Sequence, residues 1–120
     1  MNIVVAEDQK RIRAALRVLL EQQAGWTVVG EASNAFELLI QSEHIKPDLV
    51  LIDETLPGMN KNQVLDAVRE ICPGIRIVAL VDPNSVGHTG SGIHADAYAT
   101  KVNSPDFLLS AIRNCIQKGS

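Results

Sequence analysis

Residues 47–58 read Pro-Asp-Leu-Val-Leu-Ile-Asp-Glu-Thr-Leu-Pro-Gly, and this stretch decides the fold. Pro47 breaks the preceding segment. Leu49 to Ile52 then run without a polar interruption inside Asp48–Asp53, which makes this the clearest strand in the chain. A short unbroken apolar run closed by turn signals marks a strand buried on both faces. Glu54–Asn60 is a loop, because Pro57-Gly58 is a turn pair.

The same pattern repeats on both sides. Upstream, Asn2–Ala6 is a second buried strand, and Glu7-Asp8 follow it. Gln9–Gln22 switches to helical spacing through Ile12, Ala15, Leu16, Leu19 and Leu20, and Gly25 ends it. Trp26–Glu31 reads as a strand. Asn34 caps a helix running to about Glu43, with Ala35, Leu38 and Leu39 inward. Downstream, Asn62–Cys72 is helical through Val64, Leu65, Val68 and Ile71, and Pro73-Gly74 stops it. Ile75–Val81 and Ala97–Thr100 are strands four and five. Ser104-Pro105-Asp106 starts a last helix whose apolar face is Phe107, Leu108, Ala111, Ile112, Cys115 and Ile116. Between Val81 and Ala97 the three glycines Gly87, Gly90 and Gly92 predict a short helix, a distorted one or a loop.

Alternating strands and helices imply a parallel sheet with helices on both faces and right-handed crossovers. Five units suit a doubly wound α/β sheet in the order 2-1-3-4-5. Its ligand site lies at the carboxyl ends of strands one and three, where the winding reverses. The length of 120 residues allows one domain, spanning 1–120, with no effector domain beside it.

Composition excludes several functions. Four aromatic residues (Trp26, Phe36, Tyr98 and Phe107) are too few for a site of stacked rings. A net charge of −3 lacks the basic footprint of a nucleic-acid binder. Cys72 and Cys115 read as buried free thiols, and His44, His88 and His94 as surface residues without zinc-site spacing. No apolar run reaches the ~18 residues of a membrane span, and the N-terminus is no signal peptide, so the expected location is the cytoplasm.

The switch-point rule selects Glu7, Asp8 and Asp53. Taken singly, Asp8 reads as a helix cap. Three carboxylates held together cost stability unless a cation joins them, and oxygen-only ligands suit Mg²⁺. A carboxylate beside such an ion can accept a phosphoryl group as an aspartyl-phosphate. Lys101, ending strand five, lies on the same sheet edge; taken alone it reads as a solvent-exposed lysine.

Glu7-Asp8, Asp53, Leu56-Pro57-Gly58-Met59 and Tyr98 three residues before Lys101 lie in that order on five βα units. With these residues the chain resembles the receiver domains of two-component response regulators over nearly its whole length. The resemblance implies a flavodoxin-like (βα)₅ fold with Asp53 as phosphoacceptor. Asp8, Asp53 and the backbone carbonyl of Thr55 would bind Mg²⁺, and Glu7 would act through a metal-bound water. Lys101 would pair with the phosphoryl group, or with Asp53 before transfer. The donor would be a phosphohistidine on a sensor histidine kinase. Any activity of the domain itself would be at most self-phosphorylation and self-dephosphorylation.

The chain departs from that pattern in three places. Val81 stands where receivers usually carry Ser or Thr, so it offers no hydroxyl to a phosphoryl oxygen, and Asp82 adds charge nearby. Val102 follows Lys101 in place of the common Pro or Asp. The fourth-helix segment is Gly-rich. These departures support a second reading, an atypical receiver that works as a phosphorylation-independent protein-interaction module; Tyr98, the usual switch aromatic, would then be a half-exposed packing residue. A flavodoxin-like electron carrier ranks third, since no Gly-rich phosphate loop follows strand one. The resemblance also implies an output in transcription. DNA contact would come only through a helix-turn-helix domain absent from this chain, and the first and last helices could form a homodimer face.

Overall fold

A computed structural model describes residues 1–82, 92–101 and 104–118. Five strands alternate with helices: β1 (Asn2–Ala6), α1 (Lys10–Glu21), β2 (Thr27–Ala32), α2 (Ala35–Ile45), β3 (Leu49–Asp53), α3 (Lys61–Ile71), β4 (Arg76–Val81), β5 (Ala97–Thr100) and α4 (Pro105–Lys118). All strand pairs are parallel, and the order is β2-β1-β3-β4-β5, as expected from the alternation.

The unbroken apolar runs are explained by what covers each face. Because side chains alternate along a strand, Val4, Ala6, Val50, Ile52, Ile77, Ala79 and Val81 fall on one side. They pack with Leu38, Val64, Leu65 and Val68 from α2 and α3. Ile3, Val5, Leu49, Leu51, Val78 and Leu80 fall on the other side, with Leu20, Leu108, Leu109 and Ile112 from α1 and α4. All five residues of β3 are buried, as a central strand sandwiched between helix layers requires.

Element ends differ from the expected ones by a residue or two. β2 is shifted to Thr27–Ala32, and one extra residue is accommodated where Ile3 pairs with Val28 but Val4 pairs with Gly30. Asn34 caps α2 by accepting from the Glu37 N–H at 2.9 Å, and the Glu37 carboxylate accepts in return from Ser33 N–H and hydroxyl. α2 then runs on to Ile45 and ends at Lys46 in the left-handed conformation.

Two inward assignments are wrong. Ala15 is exposed and Phe107 is 51% exposed. Both have helical spacing, but they lie at the margins of their apolar stripes, where α1 and α4 turn away from the sheet. The expected fourth helix falls mostly on residues 83–91, outside the described residues. Residues 92–95, which follow, belong to no helix or strand. Ile93 is nevertheless buried in the core, and Asn62 and Arg69 of α3 bond the backbone of Gly92 and His94. Cys72 and Cys115 are buried free thiols, and His44 and His94 are exposed; His88 lies outside the described residues. Among the described residues no helix is long and apolar enough to cross a membrane.

Candidate functional site

The carboxyl ends of β1 and β3 bring two acids together. Glu7 directly follows β1 and is fully buried, its N–H donating to the Ala32 carbonyl of β2 at 2.9 Å. Asp53 closes β3 and is 3% exposed. Both are placed by the register that pairs β1 with β3. Lys101, just past β5, reaches between them. Its Nζ lies 2.8 Å from Glu7 Oε1 and also pairs with Asp53 Oδ2. The sheet thus joins into one cluster three residues separated by dozens of positions in the chain.

Asp8 is placed differently. It is exposed, and its carboxylate makes no contact with this cluster. Among the described residues no three His, Cys, Asp or Glu side chains stand together as a metal-holding group. The cation that joins Glu7 and Asp53 here is the Lys101 ammonium.

Each buried acid is held from several sides. Glu7 Oε2 accepts from the Gln9 N–H at 2.9 Å, and the Glu7 carbonyl accepts from Arg13 at 2.7 Å. Arg13 also pairs with Glu31 of β2 at 3.0 Å, which ties α1 to the sheet behind the site. Asp53 Oδ1 accepts twice from one residue, from the Thr55 N–H at 2.7 Å and the Thr55 hydroxyl at 2.6 Å. This is the side-chain-to-backbone turn that Asp favours at a loop start. The loop itself is fastened by Glu54 N–H to the Leu80 carbonyl and by Ala35 N–H to the Pro57 carbonyl. Gly58 adopts φ +119°, and a Cβ there would meet Ala35 at 3.1 Å.

Ionisation separates the two acids. Burial, and then hydrogen bonding to Asp53, raise Glu7 to about 7. Burial works in the same upward direction on Asp53, but bonds from Glu7, Lys101 and Thr55 outweigh it and hold Asp53 below its ordinary value. Burial opposes the Lys101 charge, yet Asp53 and Glu7 raise its pKa. The arrangement is two buried acids whose pKa values are pushed apart, bridged by one ammonium.

Val81 is buried, packed in the core on the α2–α3 side of the sheet. Tyr98 is 43% exposed, and its hydroxyl is tied down: it donates to the Ile93 carbonyl at 2.8 Å and accepts from the Ala95 N–H at 3.1 Å. The backbone of Asp82 donates to Glu54 at 3.1 Å. The Thr55 side chain and Arg13 were not singled out from the sequence as parts of the site. Thr55 carried a signal, a hydroxyl two residues after a strand-end Asp, whereas the role of Arg13 depends on how α1 lies on β2.

A doubly wound sheet with an acid–acid–lysine cluster at its switch point defines a receiver-type α/β domain. The family model of the response regulator receiver domain matches residues 3–113, and the chain belongs to that family. It is 34% identical over 113 residues to the nitrate/nitrite response regulator protein NarL of Escherichia coli, covering 92% of this chain and 52% of that protein. It is 33% identical to the uncharacterized transcriptional regulatory protein YhcZ of Bacillus subtilis, covering 91% of this chain and 52% of that one. The chain therefore spans about half the length of these curated relatives. Among solved structures, a LuxR-family two-component response regulator from Aurantimonas superposes with TM-score 0.82 at 27% identity, over 98% of this chain and 85% of that one. The signal receiver domain of the putative response regulator NarL from Mycobacterium tuberculosis gives TM-score 0.80 at 26% identity, over 97% and 95%.

Proposed function

We propose that this receiver domain accepts a phosphoryl group on Asp53 from a phosphohistidine of a sensor histidine kinase, and so switches an output in transcription. The observation that carries the reading is the buried contact of an ionised Asp53 with Lys101 at the switch point. Phosphoryl transfer asks a protein mainly for positioning and charge neutralisation, and this cluster supplies both. Asp53 donates the electron pair to phosphorus, the histidine nitrogen leaves with the pair of the broken bond, and Lys101 follows the new charge.

The donor chemistry of the site fits Mg²⁺. Glu7 Oε1 and Asp53 Oδ2 are buried carboxylate oxygens paired with the Lys101 ammonium, and the whole set is oxygen. Asp8, Asp53 and the Thr55 carbonyl would hold the ion, Glu7 acting through a water. Asp8 has to turn inward from its exposed position to do so. The bound ion would supply charge neutralisation for the transferring phosphoryl group.

The ionised state of Asp53 favours this reading over a phosphorylation-independent module, since a mere docking domain has no need of a buried nucleophile. Val81 brings no hydroxyl to the site, so the switch runs without that contact. The output would act through a further domain that meets DNA, in the cytoplasm. The half-buried apolar side chains Ile12, Leu16 and Leu19 of α1 face Leu108 of α4 across an open groove and support a homodimer contact on these helices. The test is labelling by acetyl phosphate with Mg²⁺: the wild type takes label and Asp53→Ala does not. Label that persists in Asp53→Ala would refute the assignment.

A further inference from the structure

The turn from β1 to α1 carries Glu7 and Asp8, and its closure is unusual. Among the described residues α1 has no side-chain cap at Gln9 and no acid in its first turn, although helix starts normally rely on such groups. Arg13, in the first turn of α1, holds the turn instead. Its Nη1 donates to the Glu7 carbonyl at 2.7 Å, and its Nε pairs with Glu31 Oε1 of β2 at 3.0 Å. On the far side of Asp8, the Gln9 N–H donates to Glu7 Oε2 at 2.9 Å. The backbone of Asp8 is therefore pinned before and after it, while its side chain stays exposed.

We infer that Arg13 is a positioning residue for Mg²⁺: by tying the Glu7–Asp8 peptide to Glu31, it lets Asp8 reach the ion by rotation of its side chain alone. This rests on the Mg²⁺ reading of Glu7, Asp8 and Asp53 and deepens it. Outer partners that fix the ligands of a metal are worth about 10–100-fold in affinity. A ligand already held in place gives up less freedom when the ion binds. A purely electrostatic role would have the opposite sign. Arg13 is a cation beside a cation site, so charge alone makes Mg²⁺ bind more tightly once the guanidinium is removed. Positioning makes it bind more weakly. Arg17 separates the two further. It pairs with the same Glu31 at 2.6 Å and with Glu21 at 3.3 Å, but among the described residues it makes no bond to the turn.

The experiment is a Mg²⁺ titration followed by amide NMR shifts, for the wild type, Arg13→Met, Arg13→Lys and Arg17→Met, each checked for folding by circular dichroism. Arg13→Met keeps the apolar stem and removes the guanidinium, and its Kd for Mg²⁺ should rise about tenfold. Arg13→Lys, whose compact ammonium does not span both partners, should fall between Arg13→Met and the wild type. Arg17→Met should stay within about twofold of the wild type. Labelling of Arg13→Met by acetyl phosphate should reach the wild-type maximal rate once Mg²⁺ saturates, because only binding of the metal is weakened. An unchanged or lower Kd in Arg13→Met would overturn the inference and leave the metal site intact; if that variant does not fold, the same result in Arg13→Lys would do so. Equal weakening in Arg17→Met, or a maximal rate that stays low at saturating Mg²⁺, would also overturn it. A wild type that binds no Mg²⁺ would overturn the metal reading along with it.

Discussion

Glu7 is the residue on which the electrostatics of the site can be measured without any phosphodonor. Its carboxyl is raised from 4.5 to about 7 by burial and by the hydrogen bond with Asp53. The folded protein therefore keeps a proton that the unfolded chain gives up near pH 4.5. Between those values the native state binds more protons, so stability is highest at the acid end of the window and is lost as pH rises through about 7. At 1.36 kcal/mol per pKa unit, the full loss is about 3 kcal/mol. Glu7→Gln removes the titration. Its amide can donate to Asp53 at every pH, and its carbonyl oxygen can accept from the Gln9 N–H. The variant's stability relative to wild type should accordingly rise by about 2–3 kcal/mol between pH 4.5 and pH 8.5, whatever constant offset the substitution brings. Urea unfolding followed by circular dichroism at four pH values resolves a change of this size. Chelator is needed in the buffer, because a divalent cation beside Glu7 would depress the same pKa. A stability difference that stays flat across the window, or that falls with pH, would refute the reasoning.

Two further perturbations test the scaffold. Gly58→Ala combines a positive φ with a contact to Ala35 at 3.1 Å, and should cost about 1–3 kcal/mol in thermal or urea unfolding. Because the loop carries Thr55, it should also slow labelling by acetyl phosphate. On α4, Ile112→Ala empties a fully buried position and should cost about 2–5 kcal/mol. Phe107→Ala, on the exposed side of the same helix, should cost less than about 1 kcal/mol in the same unfolding experiment; equal losses at the two positions would contradict the orientation of the helix.

Much of this molecule can be read from the chain because the deciding signals are local. Leu49–Ile52 between two acids can only be a covered strand, and the change from such runs to helical spacing repeats often enough to set the winding. From the winding alone, Glu7 and Asp53 must meet at one sheet edge with Lys101 beyond. Spacing could not tell that Ala15 and Phe107 face outward, since the edge of an apolar stripe depends on how the helix sits on the sheet. Nor could it place Asp8: the two adjacent acids look alike in sequence, but the step from strand to helix sends Glu7 inward and Asp8 to the surface.

What the sequence determined by itself is the order of elements, the two-faced core and the identities of the acids and the lysine, because periodicity and strand-end position need only near neighbours. What the tertiary structure alone decided is their ionisation and direction. Burial pushes both acids up and Lys101 pulls both down. Asp53 is low because Glu7, Lys101 and two Thr55 donors outweigh its burial, whereas at Glu7 burial and Asp53 outweigh Lys101 and the Gln9 N–H. Such shifts arise from desolvation and from charges a few ångströms away, and those distances exist only once β1, β3 and β5 lie in one sheet.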